Sequence, residues 1–385
     1  MESAAGIGGE GEGEGEGGDG AGSGAGGGSA GDGQGGGGRL LALLDELCAA
    51  HGPPGSEDEV DAVVEAHLEG VAARVWRDAA GNVIAHLAGR EGVAAGGPLL
   101  LNAHKDEIAL MVKRIEPDGR MRVRPLGGAH PWKWGEGPVD LLADDGTAVP
   151  AILGFGASHV SAESPLFRVK DGRLALTWDL ACVDAKLSRT ELAARGVHAG
   201  TKVVLERTRK RPRMVGDFVC AHGLDDRGGC AVLLEVARAL GGAPAARDVY
   251  LVFSSMEEVG GGSVLHAAHT LGAGAMVGVE IVPVVKEYGV ANDARPVLVH
   301  ADATSIYDAG LTRRLAALAG GLALEVQHAV LSGFGSDPGL ARRGGGVPAA
   351  ALFGFATENT HGYEVTHLGG LTGCVALMEA LVRAW

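Results

Sequence analysis

Side chains that can bind metal ions follow short apolar runs at several places in this chain. Four of the runs read as buried strands, because each is a few residues long and is bounded by turn-forming or polar residues. In open α/β sheets, functional side chains gather beyond the carboxyl ends of the strands. We therefore expect one crevice that collects side chains from distant parts of the sequence. The runs are residues 98–103, 249–255, 275–279 and 349–356, and the side chains are His104, Asp106, Asp225, Asp226, Glu257, Glu258, Glu280 and His361.

The pattern of apolar residues divides the 385 residues into segments of different texture. Residues 39–112 and 216–385 combine strand-like runs with helical periodicity, which predicts an α/β domain. Between them, residues 113–215 contain short alternating segments separated by Gly, Pro and Asp, which predict a small inserted β-rich domain. The predicted fold class is therefore α/β, a mixed central sheet flanked by helices, with the β-rich domain inserted into it.

Helical periodicity predicts the elements that would flank this sheet. Ser56 followed by Glu59 fits a capping box, so a helix is expected to begin near Glu57. Apolar spacing of three and four residues predicts further helices over residues 228–240 and 371–385.

The N-terminal segment, residues 1–38, differs in composition from the rest of the chain. It contains 20 glycines, seven acidic residues and no Lys or Arg. Such a segment cannot bury enough apolar surface to offset its chain entropy, so we predict a disordered tail. Its acids carry nearly half of the net charge of −15, which leaves −8 on the remainder. That mild acidity argues against nucleic-acid binding, which needs clustered Lys and Arg. The one basic cluster, residues 207–213, reads as a solvated turn.

Neither a targeting signal nor a cysteine framework is visible in the sequence. No run of 18 or more apolar residues occurs, and the N-terminus lacks the basic and apolar regions of a signal peptide. We therefore predict a cytoplasmic protein without a membrane partner. The five cysteines are scattered and include no Cys-x-x-Cys pair, which fits neither a disulfide framework nor a thiolate zinc site.

The histidine and acidic residues supply the ligands of a two-metal site. Zinc and cobalt accept imidazole and carboxylate ligands, and two such ions can share one bridging carboxylate. His104 is followed two residues later by Asp106, an acid that can hold a ligating imidazole in its tautomer. Each motif is weak alone, since a His-x-Asp pair is common and Asp225 or Asp226 could simply cap a helix.

The adjacent acids Glu257 and Glu258 are harder to explain without a metal. At the end of a buried strand two carboxylates repel each other unless a cation compensates them. Adjacent side chains also point in different directions, so one can bind a metal while the other acts as general base. Glu280 follows another apolar run, where an unpaired carboxylate would be costly, although a surface loop remains an alternative. His222 could lie behind the ligands, and the remaining histidines read as ordinary polar or packed residues.

Several motifs in order along residues 40–385 resemble the M42 metallo-aminopeptidases, the glutamyl and tetrahedral aminopeptidase group. The resemblance implies a di-zinc peptidase domain of α/β fold that carries an inserted β-rich dimerisation domain, in a chain that assembles into a homo-oligomer. The matching stretches are "HGPPGSEDEV", "DAAGNVIAHL", "HKDEIALMVKRI" from His104, "PLGG" from Pro125, "LDDRGGCAVLLE" from Leu224, "EEVGGGS" from Glu257 and "THGYEVTHL" from Thr360.

The same resemblance implies roles for individual residues. Asp225 would bridge two divalent metal ions, zinc or cobalt. His104 and Glu280 would complete the coordination of one ion, and Glu258 and His361 that of the other.

Two further residues have implied catalytic roles. Glu257 would be the general base that takes a proton from a metal-bridging water and passes it to the leaving amine. Asp106 would orient the neighbouring imidazole. The function implied is an aminopeptidase that hydrolyses N-terminal residues from short peptides.

The sequence departs from the family pattern near the expected substrate. Glu280 stands where the family usually has Asp, Ala109 replaces a usual Gly, and residues 335–338 and 357–360 differ from the usual segments. Two alternatives therefore remain open. One is a di-metal amidohydrolase of another amide, an N-acyl amino acid deacylase or a carboxypeptidase-like enzyme. The other is a catalytically silent oligomeric scaffold.

Overall fold

The computed structural model describes residues 33–385 of the chain. Most of the predicted disordered tail lies outside these residues, although 33–38 form the first turns of α1. The predicted helices are found. Residues 207–210 of the basic cluster, which was predicted to be a solvated turn, instead form α6 and bury Lys210. The helices are α1 Gly33–Ala49, α2 Asp58–Leu68, α3 Pro131–Trp134, α4 Pro165–Lys170, α5 Arg189–Ala194, α6 Arg207–Lys210, α7 Leu224–Gly241, α8 Gly262–Leu271, α9 Ala309–Gly321, α10 Asp337–Arg343 and α11 Leu368–Arg383.

Most strands belong to one 11-stranded mixed sheet, in the order β1-β2-β12-β3-β13-β16-β17-β11-β10, with β14 and β15 added beside β16. The four central strands β12, β3, β13 and β16 run parallel. The strands outside these four pair antiparallel, except that β14 and β15 are parallel to each other, so the predicted mixed α/β sheet is confirmed. The strands are β1 Arg74–Arg77, β2 Val83–Leu87, β3 Leu99–His104, β10 Arg213–Val215, β11 Phe218–Ala221, β12 Val249–Ser254, β13 Ala275–Pro283, β14 Val297–Ala301, β15 Gln327–Val330, β16 Ala350–Glu358 and β17 Glu364–His367.

Helices cover both faces of this sheet. On one face α1, α2, α7, α9 and α11 bury residues such as Leu44, Leu233 and Leu377 against the strands. On the other face α8 and α10 bury Val264 and Ala341. Because both faces are covered, the central strands are apolar along nearly their whole length. None of the described helices is both long enough and apolar enough to cross a membrane.

The remaining six strands form a closed barrel between β3 and β10, in the order β4-β5-β8-β7-β6-β9. Side chains such as Leu141, Leu153 and Val203 fill its interior and form a core separate from the two that cover the large sheet. Five of the barrel strands lie within residues 113–215, where short alternating segments predicted β structure, whereas β4 begins before that segment, at Ala109. They are β4 Ala109–Ile115, β5 Met121–Leu126, β6 Gly137–Leu142, β7 Ala148–Gly154, β8 Cys182–Asp184 and β9 Lys202–Leu205.

The parallel centre of the large sheet positions the site. His104, the last residue of β3, pairs with Ser254, the last residue of β12, so the two strands end at the same level. Glu280 pairs with Gly354 on β16. We expected the strand before Glu280 to end at that residue, and this was wrong. Pairing with β16 continues as far as Pro283, so Glu280 lies inside β13.

Candidate metal centre

Asp106 joins the end of β3 to the short helical turn Glu257–Val259. Its two carboxylate oxygens accept hydrogen bonds from the backbone N–H groups of Glu257, at 3.0 Å, and Glu258, at 3.2 Å. Oδ1 of Asp106, the oxygen that accepts from Glu257, also lies 3.4 Å from Nδ1 of His104. Asp106 is fully buried. Asp106, which was predicted to orient His104, therefore fixes the backbone from which the two glutamates project.

Asp225 lies between the two histidines of the centre. Its Oδ1 is 2.9 Å from Nε2 of His104, and its Oδ2 is 3.4 Å from Nε2 of His361. The buried Glu364 holds this arrangement from behind, because its carboxylate accepts the N–H of Asp225 at 3.1 Å and that of His361 at 3.0 Å. Sequence reasoning missed Glu364. Its only signal is a glutamate that opens strand β17 within the motif "THGYEVTHL".

Two groups of residues could each hold a metal ion, and Asp225 belongs to both. In the first, Nε2 of His104 lies 3.6 Å from Oε2 of Glu280. In the second, Nε2 of His361 lies 3.6 Å from Oε2 of Glu258. Within each group the ligand atoms lie within 4.8 Å of one another. The structure thus brings together all five predicted ligands, and imidazole with carboxylate is the donor set that zinc accepts.

Glu257 lies beside the first group without belonging to it. Its Oε2 is 4.0 Å from Nε2 of His104. Asp226, adjacent to the shared ligand, also stays out of both groups. It is buried and accepts the N–H groups of His104, at 3.2 Å, and Gly229, at 3.0 Å. His222 packs edge-on against Tyr363, with ring centres 5.2 Å apart, and it lies in neither group.

The electrostatics of the centre show an excess of buried negative charge. Burial, followed by the charge of Asp225, raises the pKa of Glu258 to about 8. Burial also raises the pKa values of Glu257 and Glu280 well above the ordinary range of a carboxyl group. Burial alone would lower the pKa of His361, but Asp225 and Glu258 outweigh it and raise this pKa to about 10. Divalent cations would compensate these carboxylates, so the residues present fit a metal pair.

Gly128, in the loop after β5, closes the centre from the barrel side. A Cβ at this position would overlap Nδ1 of His361. Replacing Gly128 with Ala should therefore displace the His361 imidazole and weaken metal binding roughly 10- to 100-fold, the cost typical of disturbing residues behind a ligand. Titration of the metal-free protein with zinc against a competing chelator measures this. Gly262→Ala is the matched control, since a Cβ on Gly262 meets nothing within 4 Å and zinc affinity should not change.

A cavity of about 440 Å³ opens directly onto the centre. Its walls include ligands from both groups and the carboxylate of Glu257. A small molecule that enters this cavity therefore reaches both candidate metal positions and Glu257 at once.

The model of the M42 glutamyl aminopeptidase family matches residues 81–377, which contain all five candidate ligands. The chain belongs to the M42 peptidase family. The predicted resemblance is thus confirmed, and with it the class of enzyme, a metal-dependent aminopeptidase.

Curated relatives and solved structures agree with membership of the M42 family. The chain is 29% identical over 347 residues to "Putative aminopeptidase SgcX" of Escherichia coli (strain K12), with 85% of this chain and 89% of that protein covered. It is 33% identical over 194 residues to the lysyl aminopeptidase of Pyrococcus furiosus, with 50% and 52% covered. The TET1 peptidase of Pyrococcus horikoshii has the same fold, with a TM-score of 0.79, 24% identity and coverage of 90% of this chain and all (100%) of that one.

Proposed function

We propose that this M42 peptidase removes N-terminal residues from short peptides with two divalent ions, zinc or cobalt, at the candidate metal centre. The observation that carries the proposal is that Asp225 belongs to both ligand groups. In this assignment Asp225 would be a ligand shared by both ions. His104 and Glu280 would hold one of them, and Glu258 and His361 would hold the other.

When bound, such ions supply Lewis-acid chemistry, since they polarise the scissile carbonyl and make water more acidic. We assign Glu257 as the general base. Its carboxylate lines the cavity and stands outside both ligand groups, so it is free to accept a proton. Asp106 fixes the backbone from which Glu257 projects, because its Oδ1 accepts the N–H of Glu257 at 3.0 Å. Glu257 takes the proton from the attacking water and delivers it to the amine that leaves as the peptide bond breaks.

Selection of the N-terminal residue follows from charge. The protonated α-amine of a peptide is a cation, and among the described residues that line the cavity Glu257 is the one carboxylate that belongs to neither ligand group. A free N-terminus can therefore pair with carboxylate oxygen there, whereas an acylated one carries neither the charge nor the donors.

The test is to reconstitute the metal-depleted protein with zinc or cobalt and to assay matched peptides with free and acetylated N-termini. We expect turnover that requires metal and occurs only with the free N-terminus. Metal-dependent turnover of acetylated substrates alone would favour the N-acyl deacylase instead. Zinc binding without turnover of either series would favour the silent scaffold.

We also propose that the protein is a homo-oligomer in which residues 113–215 form the dimerisation domain. The solved TET1 peptidase of Pyrococcus horikoshii assembles into a tetrahedron or a large octahedral shell. Within residues 113–215 four large apolar side chains are exposed, namely Trp132 and Val215 at 64%, Ile152 at 50% and Met214 at 42%. Exposed apolar side chains that form a continuous patch are typical of a protein–protein contact.

A further inference from the structure

The cavity beside the metal centre has two chemically different sides. One side carries the metal ligands and Glu257. The other is built from the end of β13, the loops 302–307 and 333–336, and helix α10. This second side, which we call the apolar wall, consists mainly of Ile281, Pro283, Phe334 and Leu340, with the side chain of Thr304 beside them.

No Lys or Arg is among the described residues that line the cavity. The cation nearest in sequence to the apolar wall is Arg342, two residues after Leu340. Neither Arg342 nor Lys286, three residues after Pro283, lines the cavity. A carboxylate placed against the apolar wall would therefore be desolvated without a charged partner.

Two acids, Asp302 and Asp337, lie behind the apolar wall, and neither lines the cavity. Asp302, which lies behind Thr304, has both of its carboxylate oxygens occupied. It accepts hydrogen bonds from the N–H groups of Thr304 at 2.7 Å and Ser305 at 2.9 Å, and from Oγ of Ser336 at 2.9 Å. The hydroxyl of Tyr307 also donates to it. These contacts occupy both oxygens of Asp302, and neither Asp302 nor Asp337 reaches the lining of the cavity, where a basic side chain of a substrate would lie.

We propose that the apolar wall contacts the side chain of the substrate's N-terminal residue and selects a neutral, apolar one such as Leu or Met. The inference rests on the proposed function, because an amine held beside Glu257 leaves that side chain to contact the rest of the cavity lining, which includes the apolar wall. Burying an unpaired charge against apolar groups is costly. Glutamyl and lysyl substrates should both be turned over less well, by roughly 100-fold in kcat/KM.

This preference differs from the glutamyl and lysyl activities named for the family model and for the Pyrococcus furiosus relative. The preference for apolar N-terminal residues is measured as kcat/KM of the metal-loaded protein on Leu, Met, Glu and Lys substrates that share one leaving group. Leu340→Lys places a cation on the apolar wall and should raise the glutamyl-to-leucyl ratio of kcat/KM at least roughly tenfold. Leu340→Gln is the matched control, similar in size but uncharged, and should leave that ratio within a factor of about three.

Glutamyl or lysyl turnover equal to leucyl turnover would overturn the inference, and loss of glutamyl turnover in Arg342→Met or in Lys286→Met would identify the cation responsible. A binding measurement keeps this test separate from the test of the proposed function. Calorimetry of free leucine and free glutamate with the metal-loaded protein needs no catalysis, and leucine should bind at least roughly tenfold more tightly. Absence of turnover with all four substrates, together with tighter leucine binding, would contradict the proposed function but would still support the selectivity of the apolar wall. Glutamate binding as tightly as leucine would overturn the selectivity itself.

Discussion

Replacing Glu257 with Gln should lower kcat by roughly 10²–10⁴-fold and leave the metal content unchanged. The carboxylate of Glu257 reaches within 4.0 Å of His104 Nε2 but belongs to neither ligand group. Gln has nearly the same shape and cannot accept the proton. Steady-state kinetics, paired with elemental analysis of the same zinc-loaded preparation, measure both quantities.

The neighbouring Glu258→Gln variant is the matched control for this prediction. Glu258 shares the same short helical turn, and its carboxylate belongs to the second ligand group. Its replacement should release one ion, whereas Glu257→Gln should release none. If Glu257→Gln keeps activity within tenfold of the wild type, or loses an ion, Glu257 is not the general base.

Replacing Asp225 with Asn should weaken the binding of both ions, by more than roughly 100-fold, and abolish turnover. Asp225 is the one residue shared by the two groups, and its two oxygens lie 2.9 Å and 3.4 Å from the two histidines. Asn keeps the shape but removes the negative charge and one of the two oxygens. Zinc titration followed by elemental analysis should show fewer than one ion per chain.

Glu280→Gln is the control for Asp225→Asn, because Glu280 belongs to the first group only. This variant should bind one of the two ions more weakly and should keep the other. Thermal melts in zinc report the same difference, since ions that bind only the folded state raise its stability. Retention of two ions by Asp225→Asn would contradict a shared ligand.

The sequence was enough to predict which side chains meet at the centre. His104 and Glu280 follow or lie within apolar runs that became the parallel strands β3 and β13. Neighbouring parallel strands end at the same edge, so polar residues near their ends converge whatever their separation in sequence. His361 reaches the same place because β16 ends at Glu358, three residues earlier.

Contacts made by the folded chain account for what could not be predicted. Ser56 and Glu59 fit a capping box, yet α2 begins at Asp58 with no side-chain cap. Glu59 instead accepts hydrogen bonds from Arg207, at 2.7 and 2.8 Å, and from the N–H of His51 at 2.9 Å. A distant ion pair thus overrides a local motif worth about 1 kcal/mol.

The barrel and Glu364 illustrate the same limit. Short alternating segments predicted β structure in the barrel region, but closure depends on β9 pairing with both β4 and β6, which no local pattern encodes. Glu364 supports Asp225 and His361 through their backbone N–H groups. A residue that acts on the backbone of other segments leaves no spacing signal in the sequence.

The most direct test of the two-ion centre is anomalous X-ray diffraction at the zinc edge from crystals of the zinc-loaded protein. Two peaks are expected, one on each side of Asp225. The first should lie beside His104 and Glu280, and the second beside Glu258 and His361. A single peak, or peaks that Asp225 does not separate, would contradict the two-ion centre proposed for this peptidase.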